Sequence, residues 1–125
     1  MKIHIVKGLP FVSAFLKYGD EDITLKNVLL DTGSAGTIFS INRLMKIGLQ
    51  PEPDDKVMEI HGIGGTEFVF IKRINQLSIG KLKINDFEIE IGAMDYGLEM
   101  DGIIGMNFLL KNKVQIDLNN LSISN

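Results

Sequence analysis

The chain has 125 residues, 45% hydrophobic and 23% charged, with a formal net charge of −3 and no cysteine. That length and balance describe one globular domain over residues 1–125, large enough to bury a core without disulfide or metal staples. The acidic balance and the lack of any basic cluster argue against a nucleic-acid partner, and the missing cysteines exclude a disulfide scaffold, a thiol nucleophile and thiolate metal sites.

Ile3 and Ile5 alternate with Lys2 and His4, which predicts a short strand broken at Gly8-Leu9-Pro10. The N-terminal run is too short for a signal peptide and is interrupted by Lys7, and no segment approaches the length of a membrane span. A cytoplasmic protein with no membrane partner is the default expectation. Phe11 to Tyr18 reads as a second strand, turned by Gly19-Asp20-Glu21-Asp22, and Ile23 to Leu30 as a third.

That third strand runs into the most informative stretch, Val28-Leu29-Leu30-Asp31-Thr32-Gly33-Ser34-Ala35-Gly36-Thr37. An aliphatic run bounded by a turn places Asp31 at the end of a buried strand, where the core limits its contact with water. A carboxylate so placed needs a partner, hydrogen bonds or a proton. Gly33 lets the chain turn beneath it, the Gly33 and Ser34 amides are candidate donors, and Thr32 adds a hydroxyl. The plainer alternative is an ordinary strand-ending turn, since Asp and Gly favour turns for their own reasons.

Thr37-Ile38-Phe39 predicts a further strand, and Ser40 a cap for a helix over Ile41 to Ile47 that Gly48 stops. Gln50-Pro51-Glu52-Pro53-Asp54-Asp55 reads as a solvated acidic turn that lacks the spacing of a calcium loop. Val57 to Ile60 and Glu67 to Lys72 flank His61-Gly62-Ile63-Gly64-Gly65-Thr66, a β-hairpin whose glycine-rich tip is expected to be mobile. No Gly-Lys-Ser/Thr and no helix follow the glycines, so they do not form a phosphate loop. His61 and His4 are too few to assemble a zinc site, and no metal or cofactor is expected.

Gly80-Lys81 predicts a two-residue hairpin turn between Leu77-Ser78-Ile79 and Leu82-Lys83-Ile84, and Phe87 to Ile91 alternates as a strand with one wet face. A loop over Gly92 to Gly97 follows, with Met94, Met100 and Met106 read as gap-filling core or near-core residues. Asp101-Gly102-Ile103-Ile104-Gly105 is a second buried run ending at a glycine, and a short apolar helix opens after it. Val114 to Leu118 and Leu121 to Ile123 are the last short strands. Many short strands with one or two short helices indicate an all-β fold, here a closed β-barrel.

Three stretches in order, Leu30-Asp31-Thr32-Gly33-Ser34, Gly62-Ile63-Gly64-Gly65 and Ile103-Ile104-Gly105-Met106-Asn107-Phe108-Leu109, make the chain resemble a retropepsin-type aspartic protease over roughly residues 10 to 118. This is the single-lobed kind of the retroviral proteases and their cellular relatives. The Asp-Thr-Gly triplet alone is a weak signal; the ordered set is a strong one. The resemblance implies that Asp31 is the catalytic aspartate, that the Thr32 hydroxyl crosses to a partner subunit, and that the Gly33 carbonyl holds substrate backbone. It implies further that Ile63, Gly64 and Gly65 form a flap tip over a bound peptide. Ile103-Ile104-Gly105 would brace the catalytic loop from beneath.

Peptide hydrolysis of this kind needs one carboxylate as general base on a water and another as general acid, a pair that shares a proton because two close carboxylates cannot both ionise. The chain carries a single Asp-Thr/Ser-Gly, and Asp95-Tyr96-Gly97 follows no aliphatic run and reads as a turn. The second Asp31 is therefore expected from an identical chain in a twofold homodimer. The terminal strands can pair across such a dimer or within their own barrel, and the residues do not choose.

Two departures stand out. The acid and arginine that viral enzymes pair beside the active site correspond here to Ala35 or Gly36 and to Met106, so the bracing of the loop must differ. Ser34 replaces the usual alanine, and a hydroxyl donated to Asp31 would favour its ionised form and a more acidic optimum than that of a Ser34→Ala variant. The leading expectation is an aspartic endopeptidase acting on extended protein or peptide substrates, with Ser34, Ile63, Gly64 and Gly65 on the substrate side. The alternative is a catalytically silent retropepsin-like module for peptide binding or dimerisation. Metal-dependent hydrolysis lacks a ligand cluster.

Overall fold

The computed structural model describes residues 1–62 and 65–125. Ten strands and two short helices follow in order: β1 His4–Val6, β2 Leu9–Tyr18, β3 Glu21–Leu30, β4 Ile38–Ser40, α1 Ile41–Leu44 with a 3₁₀ turn over Met45–Ile47, β5 Val57–Gly62, β6 Gly65–Ile79, β7 Leu82–Gly92, β8 Gly102–Ile104, α2 Met106–Lys111, β9 Gln115–Asp117 and β10 Ser122–Ser124. The all-β class is as expected. Eight strands form one sheet in the order β1-β2-β3-β8-β4-β7-β6-β5, and a short antiparallel pairing of Phe15–Lys17 with Gln76–Ser78 turns the sheet back onto itself through β2 and β6. Strands β9 and β10 form a separate ribbon.

Most neighbours are antiparallel hairpins, but two pairings are parallel and both serve the loop at Asp31. β3 runs parallel to β8, with Leu30 opposite Ile104, and β4 runs parallel to β7, with Ile38 opposite Glu90. Between them β4 lies antiparallel to β8, so the chain leaves β3, makes its loop and re-enters the sheet on the far side of β8. Gly102 permits this crossing: a Cβ there would collide with the Phe39 ring and stand 2.9 Å from the Ile38 carbonyl.

The main core lies inside the curl of the sheet, where Val12, Leu16, Val28, Phe39, Ile91 and Ile104 are fully buried. Helix α2 covers it with Phe108, whose ring meets Phe87 edge to face at a centroid distance of 6.1 Å. A second cluster of Ile38, Val69 and Met94, with Ile60, Ile71, Met100 and Ile103 packed on it, lies at the base of the β5–β6 hairpin. The near-core reading of the methionines holds, with Met94 buried and Met100 and Met106 half-buried. Below it Asp101 is 5% exposed; Arg43 Nε stands 2.8 Å from its Oδ1, an ionic contact rather than an aligned hydrogen bond, while the Asn27 amide donates to Oδ2 at 3.1 Å.

Several expectations need correction. β6 is one fifteen-residue strand where the sequence suggests two, because polar Gln76 keeps the pairing with β7 opposite Asn85, while the Asn75 side chain accepts from the Gly19 amide at 2.7 Å. The first break is confined to the Lys7-Gly8 turn, both at positive φ, so Leu9 and Pro10 belong to β2. The helix after Ser40 tightens to 3₁₀ at Met45, and Ser40 gives it no side-chain cap; Gly48 ends it at φ 77 as expected. Of the two pairings left open for the termini, the one within their own chain is present: the Ile3 amide donates to Leu121 O at 2.8 Å, the Ile123 amide to Met1 O at 2.9 Å, and the Ile3 and Ile123 side chains are buried.

The acidic turn after Gln50 is not simply solvated. Lys72, only 7% exposed, reaches Glu52 Oε1 at 2.6 Å and Asp55 Oδ2 at 2.8 Å and so fastens the turn to β6. Burial works to lower the Lys72 pKa, but the bonds to Asp55 and Glu52 outweigh it and hold the ammonium above its usual value. Asp55 is held below its ordinary 3.8, chiefly by the bond from Lys72. A depressed carboxyl pKa gives stability that is full above the unfolded value and lost as pH falls through the folded one. Lys72→Ala is therefore expected to melt several degrees below the wild type at about pH 6, with the gap closing below about pH 4; thermal melts across that range check it.

Candidate active site

β3 delivers Asp31 to the rim of the core, half-buried, with Thr32 and Gly33 exposed beside it. The parallel pairing continues one residue past the strand end, as the Asp31 amide donates to Ile104 O at 3.0 Å. The chain then folds under the carboxylate. The Gly33 amide donates to Asp31 Oδ1 at 2.8 Å, and the Ser34 amide closes the turn on the Asp31 carbonyl at 3.2 Å. A Cβ at Gly33 would sit 3.2 Å from that same carboxylate oxygen, tighter than ordinary contact, so glycine keeps the approach open.

Of the two amides expected beneath the carboxylate, Gly33 takes that place and Ser34 does not. The Ser34 hydroxyl is also spent elsewhere, donating to Gly36 O at 2.8 Å. It shapes the loop instead of stabilising charge on Asp31, so the expected acid shift through Ser34 loses its basis. Gly65 stands at the start of β6 opposite Gly62, at φ 121, a conformation that suits glycine. Ile63 and Gly64 lie outside the described residues. The hairpin itself is as read, and His61 is exposed on it.

The bracing that replaces the missing ion pair comes from backbone and two polar side chains that sequence reasoning missed. The Met106 amide donates to Ser34 O at 2.7 Å and the Asn107 amide to Ala35 O at 3.1 Å, so the first turn of α2 holds the carbonyls of the Asp31 loop. Thr37, 0% exposed, donates to Asn107 Oδ1 at 2.7 Å and accepts from the Gly105 amide at 3.1 Å. Their one signal was a polar residue in each of two otherwise small or apolar runs, Gly36-Thr37-Ile38 and Met106-Asn107-Phe108.

A second polar group stands on the hairpin side of the loop. The Glu90 carboxylate occupies the space that a side chain at Gly36 would fill. It is half-buried, and burial first, then Glu88 and Glu67, pushes its pKa above the usual carboxylate range. Glu67, on β6, accepts from the Tyr96 hydroxyl and from the Met94 amide at 3.1 Å. Burial, then the bond to Glu67, raises the Tyr96 phenol above its ordinary pKa. Asp95-Tyr96-Gly97 lies in a bend of the loop, as its sequence context indicated. On the opposite side Thr32 borders a cavity of about 260 Å³ lined by Met106, Leu109, Leu110, Val114 and Ile116. Among the described residues no group of acids and histidines could hold a metal ion.

A sheet bent on itself, with an Asp-Thr-Gly loop between two parallel pairings and a glycine-tipped hairpin, is the single-lobed acid-protease fold. The crystal structure of a retropepsin-like aspartic protease from Rickettsia conorii has that fold: it matches with a TM-score of 0.67 at 20% identity, covering 99% of this chain and 97% of that one. No curated protein sequence matches. The family model for aspartyl proteases matches residues 17–108, and the chain belongs to that aspartyl protease family.

Proposed function

We propose that the protein is an aspartic endopeptidase that works as a twofold homodimer, with one Asp31 from each subunit activating water. The observation that carries this reading is the Asp31 carboxylate itself, held at a strand end by the Gly33 amide at 2.8 Å with its other oxygen free of protein donors among the described residues. A single carboxylate cannot serve as base and acid at once, and the chain holds one such triplet. In the dimer the pair shares a proton: one Asp31 takes a proton from the attacking water while the other donates to the scissile amide. The Thr32 hydroxyl crosses to the partner loop, and the Gly33 carbonyl receives the substrate backbone.

Exposed apolar surface beside Thr32 supports a second copy there. Leu110 is 67% exposed and Ile116 36%, and both line the cavity that Thr32 borders. The substrate is an extended peptide taken as an added strand between the loop and the β5–β6 hairpin, with Ile63, Gly64 and Gly65 as substrate-side residues.

The test is the mass in solution, alone and with a transition-state-mimicking peptide, together with incubation against a diverse peptide mixture from acidic to neutral pH. A dimer in the presence of the mimic and discrete cleavage products are expected. A monomer under both conditions overturns the shared pair, and binding without cleavage would make the chain a silent peptide-binding module.

A further inference from the structure

Glu67 holds two bonds to one loop, and neither belongs to the β-sheet. Its Oε2 accepts from the Tyr96 hydroxyl and its Oε1 from the Met94 amide at 3.1 Å. It lies two residues from Gly65, near the free end of the hairpin. In the antiparallel register Ile60 stands opposite Glu67 and Met58 opposite Val69. Glu67 therefore projects to the same face as the buried Val69, the face of the second apolar cluster, and is half-buried there.

The loop is shaped for this contact. Met94 sits at φ 56, a left-handed conformation unusual for a residue with a side chain, while its own side chain is buried against Ile38 and Val69. That buried anchor holds the turn that presents the amide. At Gly92 an added Cβ would stand 2.8 Å from Glu67 Oε1, so the glycine leaves room for the carboxylate. No cation pairs with Glu67 among the described residues, and Glu90 adds a like charge nearby. Two hydrogen bonds from neutral donors, opposed by a neighbouring acid, make a fastening that can open.

We propose that Glu67 is a positioning residue: it fastens the β5–β6 hairpin to the 93–101 loop, and its release lets the hairpin lift to admit a peptide strand. The proposal rests on the proteolytic reading for its purpose, but its mechanical content does not. An anchor near the free end of a hairpin controls how often that end opens, because among the described residues β5 has no strand partner but β6.

Hydrogen–deuterium exchange on the full chain tests it without a substrate, comparing wild type with Tyr96→Phe, Glu67→Gln and Glu67→Ala. Tyr96→Phe removes one donor and keeps the ring, and is expected to speed exchange of amides in 65–70 by roughly fivefold, with Glu67→Ala roughly tenfold or more. Amides in 76–79, at the far end of the same strand, should be unchanged. Unaltered exchange over 65–70 in all three variants overturns the proposal. So does equal acceleration over 65–70 and 76–79, which would mark Glu67 as a general structural contact. Should the wild type cleave no peptide, the proteolytic reading fails while the exchange result still decides the fastening.

Discussion

Asp31→Asn is expected to lower peptide cleavage by roughly a thousandfold or more while leaving the fold in place, since loss of an acid–base group removes about that factor and more when the groups act as a unit. The asparagine oxygen still accepts from the Gly33 amide, and the Asp31 main-chain bonds to Ile104 and Ser34 are untouched by the change. The sharper result comes from mixing. If the site is built from two copies, wild-type and Asp31→Asn chains re-equilibrated in equal amounts form only about one quarter wild-type dimers, and activity falls below what the wild-type chains would give alone. Activity that stays proportional to the wild-type share would show that each chain acts by itself. The same substitution is expected to tighten the dimer at neutral pH, because two neighbouring carboxylates no longer compete for one proton. Sedimentation or mass photometry against protein concentration reads that shift.

The features legible from the sequence are those whose cause is local. An aliphatic run ending in Asp31-Thr32-Gly33 announces a strand and its turn within ten residues, and Gly80-Lys81 announces its hairpin by turn chemistry alone. What stayed hidden depends on residues far apart in the chain. Thr37 and Asn107 are 70 positions apart, and neither type predicts that the other will meet it beneath the loop. Nothing near Lys72 in the chain marks it for burial, which comes from the distant turn bearing Glu52 and Asp55. Arg73 beside it does remain at the surface, paired with Asp86. Ser34 was misread for the opposite reason: Asp31 and Gly36 both lie within three residues of it in the chain, and the loop geometry gives its hydroxyl to Gly36.

The loop's bracing makes Gly105 the position where the smallest change should cost most. Its amide donates to Thr37 Oγ1 at 3.1 Å, and the residues after it hold the carbonyls of Ser34 and Ala35. A Cβ at 105 would collide with the Gly36 carbonyl and stand 2.7 Å from Ser34 O. These are backbone atoms in a loop fixed on both sides, so no flexible side chain can yield. The φ of −104 at Gly105 suits any residue, and the need for glycine is therefore one of space and not of backbone conformation. Gly105→Ala must push α2 away from the Asp31 loop, breaking the Met106 and Asn107 bonds or straining them. Overpacking against rigid surroundings costs about 1–3 kcal/mol, and lost hydrogen bonds at a buried threonine add to that. We expect a chemical-denaturation midpoint lowered to match about 3 kcal/mol or more. Gly8→Ala serves as a control at a glycine of positive φ with open space around it, where the cost is conformational only and about 1 kcal/mol. Equal losses at the two positions would show that the Asp31 loop and α2 are not held in the close packing described.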